Sequence, residues 1–133
     1  MKRVTRREMS AWLAPMRRCF AEMRQGEVDS IRGYAVTRLH ASDDYARVDF
    51  CIAGFRALLD RLLPEIDTAP LSLIERRLAA GTPLTVAQID AALALLRMCE
   101  DSLLRFSRED VKAAVLVEQC VIELDALGIR EAA

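Results

Sequence analysis

Apolar residues recur along this chain at spacings of three and four, the period of an α-helix with one buried face. The clearest run is Val48, Ile52, Phe55, Leu59 and Leu62. A second run, Ile89, Ala92, Leu96, Cys99, Leu103 and Phe106, keeps the same rhythm. Leu93, Leu95 and Met98 add apolar surface outside it, so this helix is expected at the centre of the packing. A third stripe is Val111, Ala114, Val117, Val121 and Leu124, widened by Val115, Leu116 and Ile122. Near the N-terminus, Trp12, Leu13, Met16, Phe20 and Met23 form a fourth face.

Capping residues bound these segments. In "TRRE", Thr5 and Glu8 have the spacing of a capping box, in which each side chain satisfies the other's free backbone N–H. The first helix should run from there to about Gln25 and stop at Gly26. Pro15 lacks a backbone donor and crowds the preceding turn, so a kink or break is expected near Ala14. Ser42 reads as the N-cap of the next helix, with Asp43 and Asp44 against its positive end, continuing to Leu63 before Pro64. A short helix is expected from Pro70 to Ala80, with Gly81 as its stop. Thr85 and Gln88 repeat the capping-box spacing for a helix to about Phe106. Ser107 would cap a last helix over residues 108–127, ending at Gly128.

The segment "GEVDSIRGYAVTRLHAS" (26–42) has two glycines and a β-branched stretch, and reads as a long loop. Long ordered loops in small domains often carry function. The expected fold is therefore all-α: a small bundle of four to five helices in a single domain, residues 1–133, with one long loop at about 26–42 and a C-terminal antiparallel helical hairpin. The small pair Gly54 and Ala57 marks a side of the second helix where a neighbour can approach closely. The wide apolar faces of the last two helices exceed what a small bundle needs, which points to a homodimer.

Charge changes this picture in one respect. The net charge of −1 hides a division: residues 1–40 carry nine basic and four acidic side chains, the remainder ten and sixteen. The whole chain does not resemble a nucleic-acid binder, whereas its N-terminal third has the charge to meet a polyanion. Arg17 and Arg18 are the centre of that basic patch. No apolar run approaches the roughly 20 residues of a membrane span, and the charged start "MKRVTRREMS" lacks the apolar core of a secretory signal. A cytoplasmic location follows as the expectation. Cys19, Cys51, Cys99 and Cys120 are widely spaced among apolar neighbours and read as reduced core residues.

Candidate chemistry is sparse. His40, the chain's one histidine, stands beside Asp43 and Asp44, but helix capping and an Asp43–Arg47 pair account for those aspartates. No metal or cofactor is expected. The patterns of nucleophilic, phosphate-cradling and zinc-dependent enzymes are missing, so no catalytic residues are assigned. Arg32, Tyr34, Arg38, His40 and Tyr45 form the best binding constellation. Arginine and tyrosine are the side chains favoured at protein–protein hot spots, and arginine also holds phosphate. The segment "LIERRLAAGTPLTVAQIDAAL" has the outline of a helix-turn-helix. Its second helix is apolar and lacks basic residues, so it would pack instead of reading DNA.

The runs "EMSAWLAPMRRCFAEMRQGEVDSIRGYAVTRLHASDDYARVDFCIAGFRALL" (8–59) and "LAAGTPLTVAQIDAALALL" (78–96) resemble small accessory proteins of temperate bacteriophages and prophages. That resemblance carries no functional residues with it. It implies a small fold that binds and blocks a host protein, host defence systems included. The combined expectation is a non-enzymatic phage-type accessory protein, in the cytoplasm of a bacterial host cell, that binds and modulates a host or phage protein. The alternative is binding of nucleic acid or a phosphorylated ligand through the basic N-terminal third.

Overall fold

Residues 2–28, 43–80, 82 and 84–128 are described by the structure, a computed structural model. Side chains at 22–23, 25–28, 43–47 and 49 lie outside that description. The described residues form six helices: α1 (Arg6–Val28), α2 (Asp43–Leu62), α3 (Ala69–Ala80), α4 (Val86–Leu103), α5 (Arg108–Ala114) and α6 (Glu118–Ala126). The fold is all-α and bundle-like, and no helix among these residues is long and apolar enough to cross a membrane.

The caps form as their spacing predicts. Glu8 N–H donates to Thr5 Oγ1 at 3.1 Å, and Thr5 N–H donates to Glu8 Oε1 at 3.2 Å. Thr85 and Gln88 make the same reciprocal pair at 3.2 and 3.0 Å. Ser107 Oγ accepts from the Asp110 N–H at 3.1 Å and starts α5. The N-cap expected at Ser42 lies outside the described residues, as does most of the expected 26–42 loop. Ahead of α1 the chain is extended. Val4 N–H donates to the Phe106 carbonyl at 3.3 Å and Arg108 N–H to the Lys2 carbonyl at 3.0 Å, so the N-terminal strip clips onto the α4–α5 turn.

α2 is the element around which the others assemble, packing against α1, α3, α5 and α6, while α4 packs on α1 and α3. Its stripe is fully buried at Val48, Ile52, Phe55 and Leu59. Trp12 of α1 meets Phe55 edge-on, with ring centres 5.9 Å apart. Each such large side chain removed from water contributes roughly 1.5–3 kcal/mol.

Two expectations require correction. α1 is not broken at Pro15: it continues through the proline to Val28. Burial of Pro15 with Trp12, Leu13, Met16, Cys19 and Phe20 outweighs one missing backbone hydrogen bond. The expected last helix, in contrast, is two. It stops at Ala114, and Val115 and Val117 are extended, with ψ of 116° each. Two β-branched residues flanking Leu116 favour that geometry. Beyond the break the buried face changes only in part: Leu124 is buried as expected and Cys120 joins it, whereas the expected Val117 and Val121 are only partly buried. Lys112 Nζ, 2.7 Å from Asp125 Oδ1, ties α5 to α6 across the bend.

Gly54 sets how closely α6 can sit. A Cβ there would lie 2.8 Å from both Cβ and Sγ of Cys120 and 3.2 Å from Val115 Cγ1. The close approach expected beside Gly54 is thus present, with α6 as the neighbour. It brings the Cys120 thiol to the Phe50 carbonyl as a donor, and the Cys51 thiol donates to Glu123 Oε2 at 3.2 Å. All four cysteines are free and buried. Hydrogen bonding to Cys120, then burial, then Glu123 push the Cys51 thiol far up from its ordinary value. Burial raises Cys99 to about 11.

Gly54→Ala should destabilise the fold by about 1–2 kcal/mol in urea titrations, because overpacking outweighs the ~1 kcal/mol that alanine gains in a helix. Gly54→Val should cost more than Gly54→Ala. The Cys51 and Cys99 thiols give a second expectation. Below pH 9 they are protonated in both the folded and unfolded states, so their contribution is constant. Above the ordinary value of 9.0 the unfolded chain loses protons that the fold retains, and stability is lost as pH rises through about 11. The urea midpoint should fall over that window, and replacing Cys51 and Cys99 by alanine should flatten the fall.

Candidate functional site

The N-terminal arginines show what the fold does with the charge division. α1 runs along α4, and its basic side chains meet α4's acids. Arg6 pairs with Asp101, Arg17 with Glu100, and Arg24 Nε lies 2.8 Å from Asp90 Oδ1. From the far end of the chain, Arg108 Nη2 reaches Glu8 Oε1 at 2.8 Å. Arg17 is the most deeply committed of these. It also donates to Ser10 Oγ at 3.0 Å, and its partner Glu100 is the buried charged residue of the described core, 6% exposed. Burial, and secondarily the Arg97 charge, draw Arg17 down from the ordinary arginine value. Arg18, one residue on and about 100° around the helix, is exposed to solvent. The two members of the expected basic patch therefore face different surroundings.

Of the expected binding constellation, Arg32, Tyr34, Arg38 and His40 lie outside the described residues. Tyr45 sits in the first turn of α2, with its side chain outside the description. Among the described residues, no three His, Cys, Asp or Glu side chains converge to hold a metal ion.

A surface that sequence reasoning missed lies further along α2. Ala53 and Ala57 form the floor of an open groove of about 320 Å³, lined also by Arg56, Asp60, Arg61 and Leu116. Phe50, 43% exposed, lies three residues before Ala53 and extends the same stripe toward the start of α2. Leu116 stands in the bend between α5 and α6 with 73% of its surface exposed. It was expected to widen a buried helical face. In extended backbone, side chains alternate: Val115 turns in at 5% exposure, Leu116 turns out, and Val117 returns to the core edge. Leu116 cannot turn inward without expelling Val115. The run "VLV" was the available signal, since alternation within three residues differs from the helical period around it.

The rim of the groove is held by polar contacts. Arg56 Nε is 3.1 Å from Glu75 Oε1, and its Nη1 donates to Ser72 Oγ at 3.2 Å, both on α3. Arg61 Nη1 donates to the Ala113 carbonyl at the end of α5, 3.3 Å away. An apolar floor, a projecting leucine and fixed guanidiniums suit noncovalent recognition of another polypeptide. The chain matches no protein-family model, no curated protein and no solved structure.

The contrast between the neighbouring arginines is measurable. Arg17→Glu puts a second carboxylate against buried Glu100 and should cost about 3 kcal/mol or more. Arg18→Glu should stay within about 0.5 kcal/mol of the parent. Urea denaturation of the two single variants checks both.

Proposed function

We propose that this chain is a non-enzymatic binding module, a phage-type accessory protein that binds and modulates a host or phage protein. The observation that carries the reading is Leu116: a large apolar side chain, 73% exposed, held outward beside a groove floored by alanines. Solvent contact for such a group is unfavourable, and a docked polypeptide relieves it at a point the backbone has already fixed. The segment 26–42, with Arg32, Tyr34, Arg38 and His40, precedes α2 directly, and Tyr45 lies on α2 itself. Aromatic and arginine side chains of this kind are favoured anchors in protein–protein contacts.

The alternative, a polyanion held by the N-terminal third, draws less support. Arg6, Arg17 and Arg24 already neutralise acids of α4. An intramolecular pair must be broken before such a side chain can serve a phosphate.

The chain used as bait in host lysate should retain a defined protein, and Leu116→Glu should lose it while keeping the helical circular-dichroism spectrum of the parent. Retention unchanged by Leu116→Glu would sink the groove as the contact. A bound species whose affinity falls steeply with salt, by about one decade per decade of salt for each phosphate contacted, would favour the alternative.

A further inference from the structure

We infer that the groove on α2 takes, as its first occupant, the Leu116 side chain of a second copy of this chain, giving a two-fold symmetric dimer. The inference rests on the reading of this groove as a polypeptide-docking surface.

The rim contains two opposite charges side by side. Asp60 is exposed and has no ion-pair partner among the described residues. Arg61 is exposed too, and its described contact is a neutral carbonyl, that of Ala113. Arg56 is neutralised by Glu75. The lining therefore offers one uncompensated anion and one uncompensated cation, adjacent in sequence. An acidic partner segment would satisfy Arg61 and repel Asp60, and a basic one would do the reverse. A patch that carries both signs is complementary to itself. Under a two-fold axis, if Asp60 of one copy meets Arg61 of the other, then Arg61 of the first meets Asp60 of the second.

Shape follows the same logic. The groove and the knob belong to one patch, since Leu116 forms part of the groove's lining. Ala53 and Ala57 leave the floor shallow. A volume near 320 Å³ is ample for an isobutyl group, given that a closed cavity of about 150 Å³ accommodates benzene. Leu116 cannot fill its own groove by turning inward, because the extended bend commits Val115 to the core and Leu116 to the outside. A second copy supplies the leucine that each groove lacks, and each buried leucine gains the stabilisation its own fold denies it. Phe50, 43% exposed on the same stripe, adds apolar area at the edge. So small a groove makes a weak, reversible association the expectation.

Sedimentation velocity of the full chain, from micromolar to millimolar concentration, tests the inference with four single variants and one double exchange. The parent should dimerise reversibly. Leu116→Glu, and Leu116→Ser as a milder second variant, should weaken the dimer by about tenfold or more with unchanged circular dichroism. Asp60→Arg and Arg61→Asp should each weaken it, and the double exchange should restore association to within about threefold of the parent. A parent that stays monomeric at millimolar concentration overturns the inference, as does a dimer indifferent to both Leu116 variants or a double exchange without recovery. The docking reading is judged separately. Loss of lysate retention in Leu116→Glu, together with a monomeric parent, leaves the groove as a docking site and removes the second copy. Retention and dimer both indifferent to Leu116 remove both.

Discussion

Where a Cβ would stand on Gly54, two atoms of Cys120 already lie 2.8 Å away. Much of the C-terminal half follows from that approach. α6 can settle onto α2 only at a position without a side chain, and seating Cys120 there places Leu124 one turn later against the same core. A straight helix from Arg108 onward would bury Val117 and Val121 more fully, whereas here they are only partly buried and Cys120 takes the place against the glycine. The chain resolves the mismatch by leaving helical geometry for three residues. The cost is a turn's worth of backbone hydrogen bonds, offset by close packing of α6 and by the Lys112–Asp125 pair. The bend then turns Leu116 outward and creates the groove beside it. A missing methyl group on α2 thus helps to shape the surface beside it on the same helix.

Charge has a parallel role where α1 meets α4. The basic N-terminal helix and the acidic residues of α4 are segregated in sequence because they are joined in space. Most of these pairs are exposed and individually contribute little. Arg17 and Glu100 differ, since one partner is buried and removal of the other leaves a charge without compensation. The seam therefore specifies which faces of α1 and α4 meet more than it adds to stability. Glu8 ties α1 to α5: the same carboxylate caps α1 and receives Arg108.

What could be read from the sequence was what is decided locally. The capping boxes at Thr5 and Thr85, the Ser107 cap and the stripe from Val48 to Leu59 depend on residues a few positions apart, and they form as their spacing predicts. Pro15 does not end α1 because its local penalty is offset by burial of the side chains around it. The single C-terminal helix misled because its break answers to Gly54, some sixty residues earlier, and no window of local sequence contains both. The site was the least legible part. Arg17 and Arg18 look equivalent in the string "MRRCF", and only the position of Glu100 separates them. Leu116 looked like one more core residue because the period around it was taken to continue through it.

The N-terminal clip has a consequence for how the chain reaches this state. Helical bundles with neighbouring helices in simple succession fold through short loops. Here Arg108 bonds Glu8 across 100 residues, and Cys120 reaches Phe50 across 70. Such closures cost chain entropy before they return any contact energy, and the mean separation of contacting residues governs the folding rate of small domains. The individual helices form quickly, but α1 gains its final partners only after the turn before α5 exists. The start of α1 is therefore among the last parts to reach its native contacts, and closures of this span slow assembly relative to a bundle of purely local contacts.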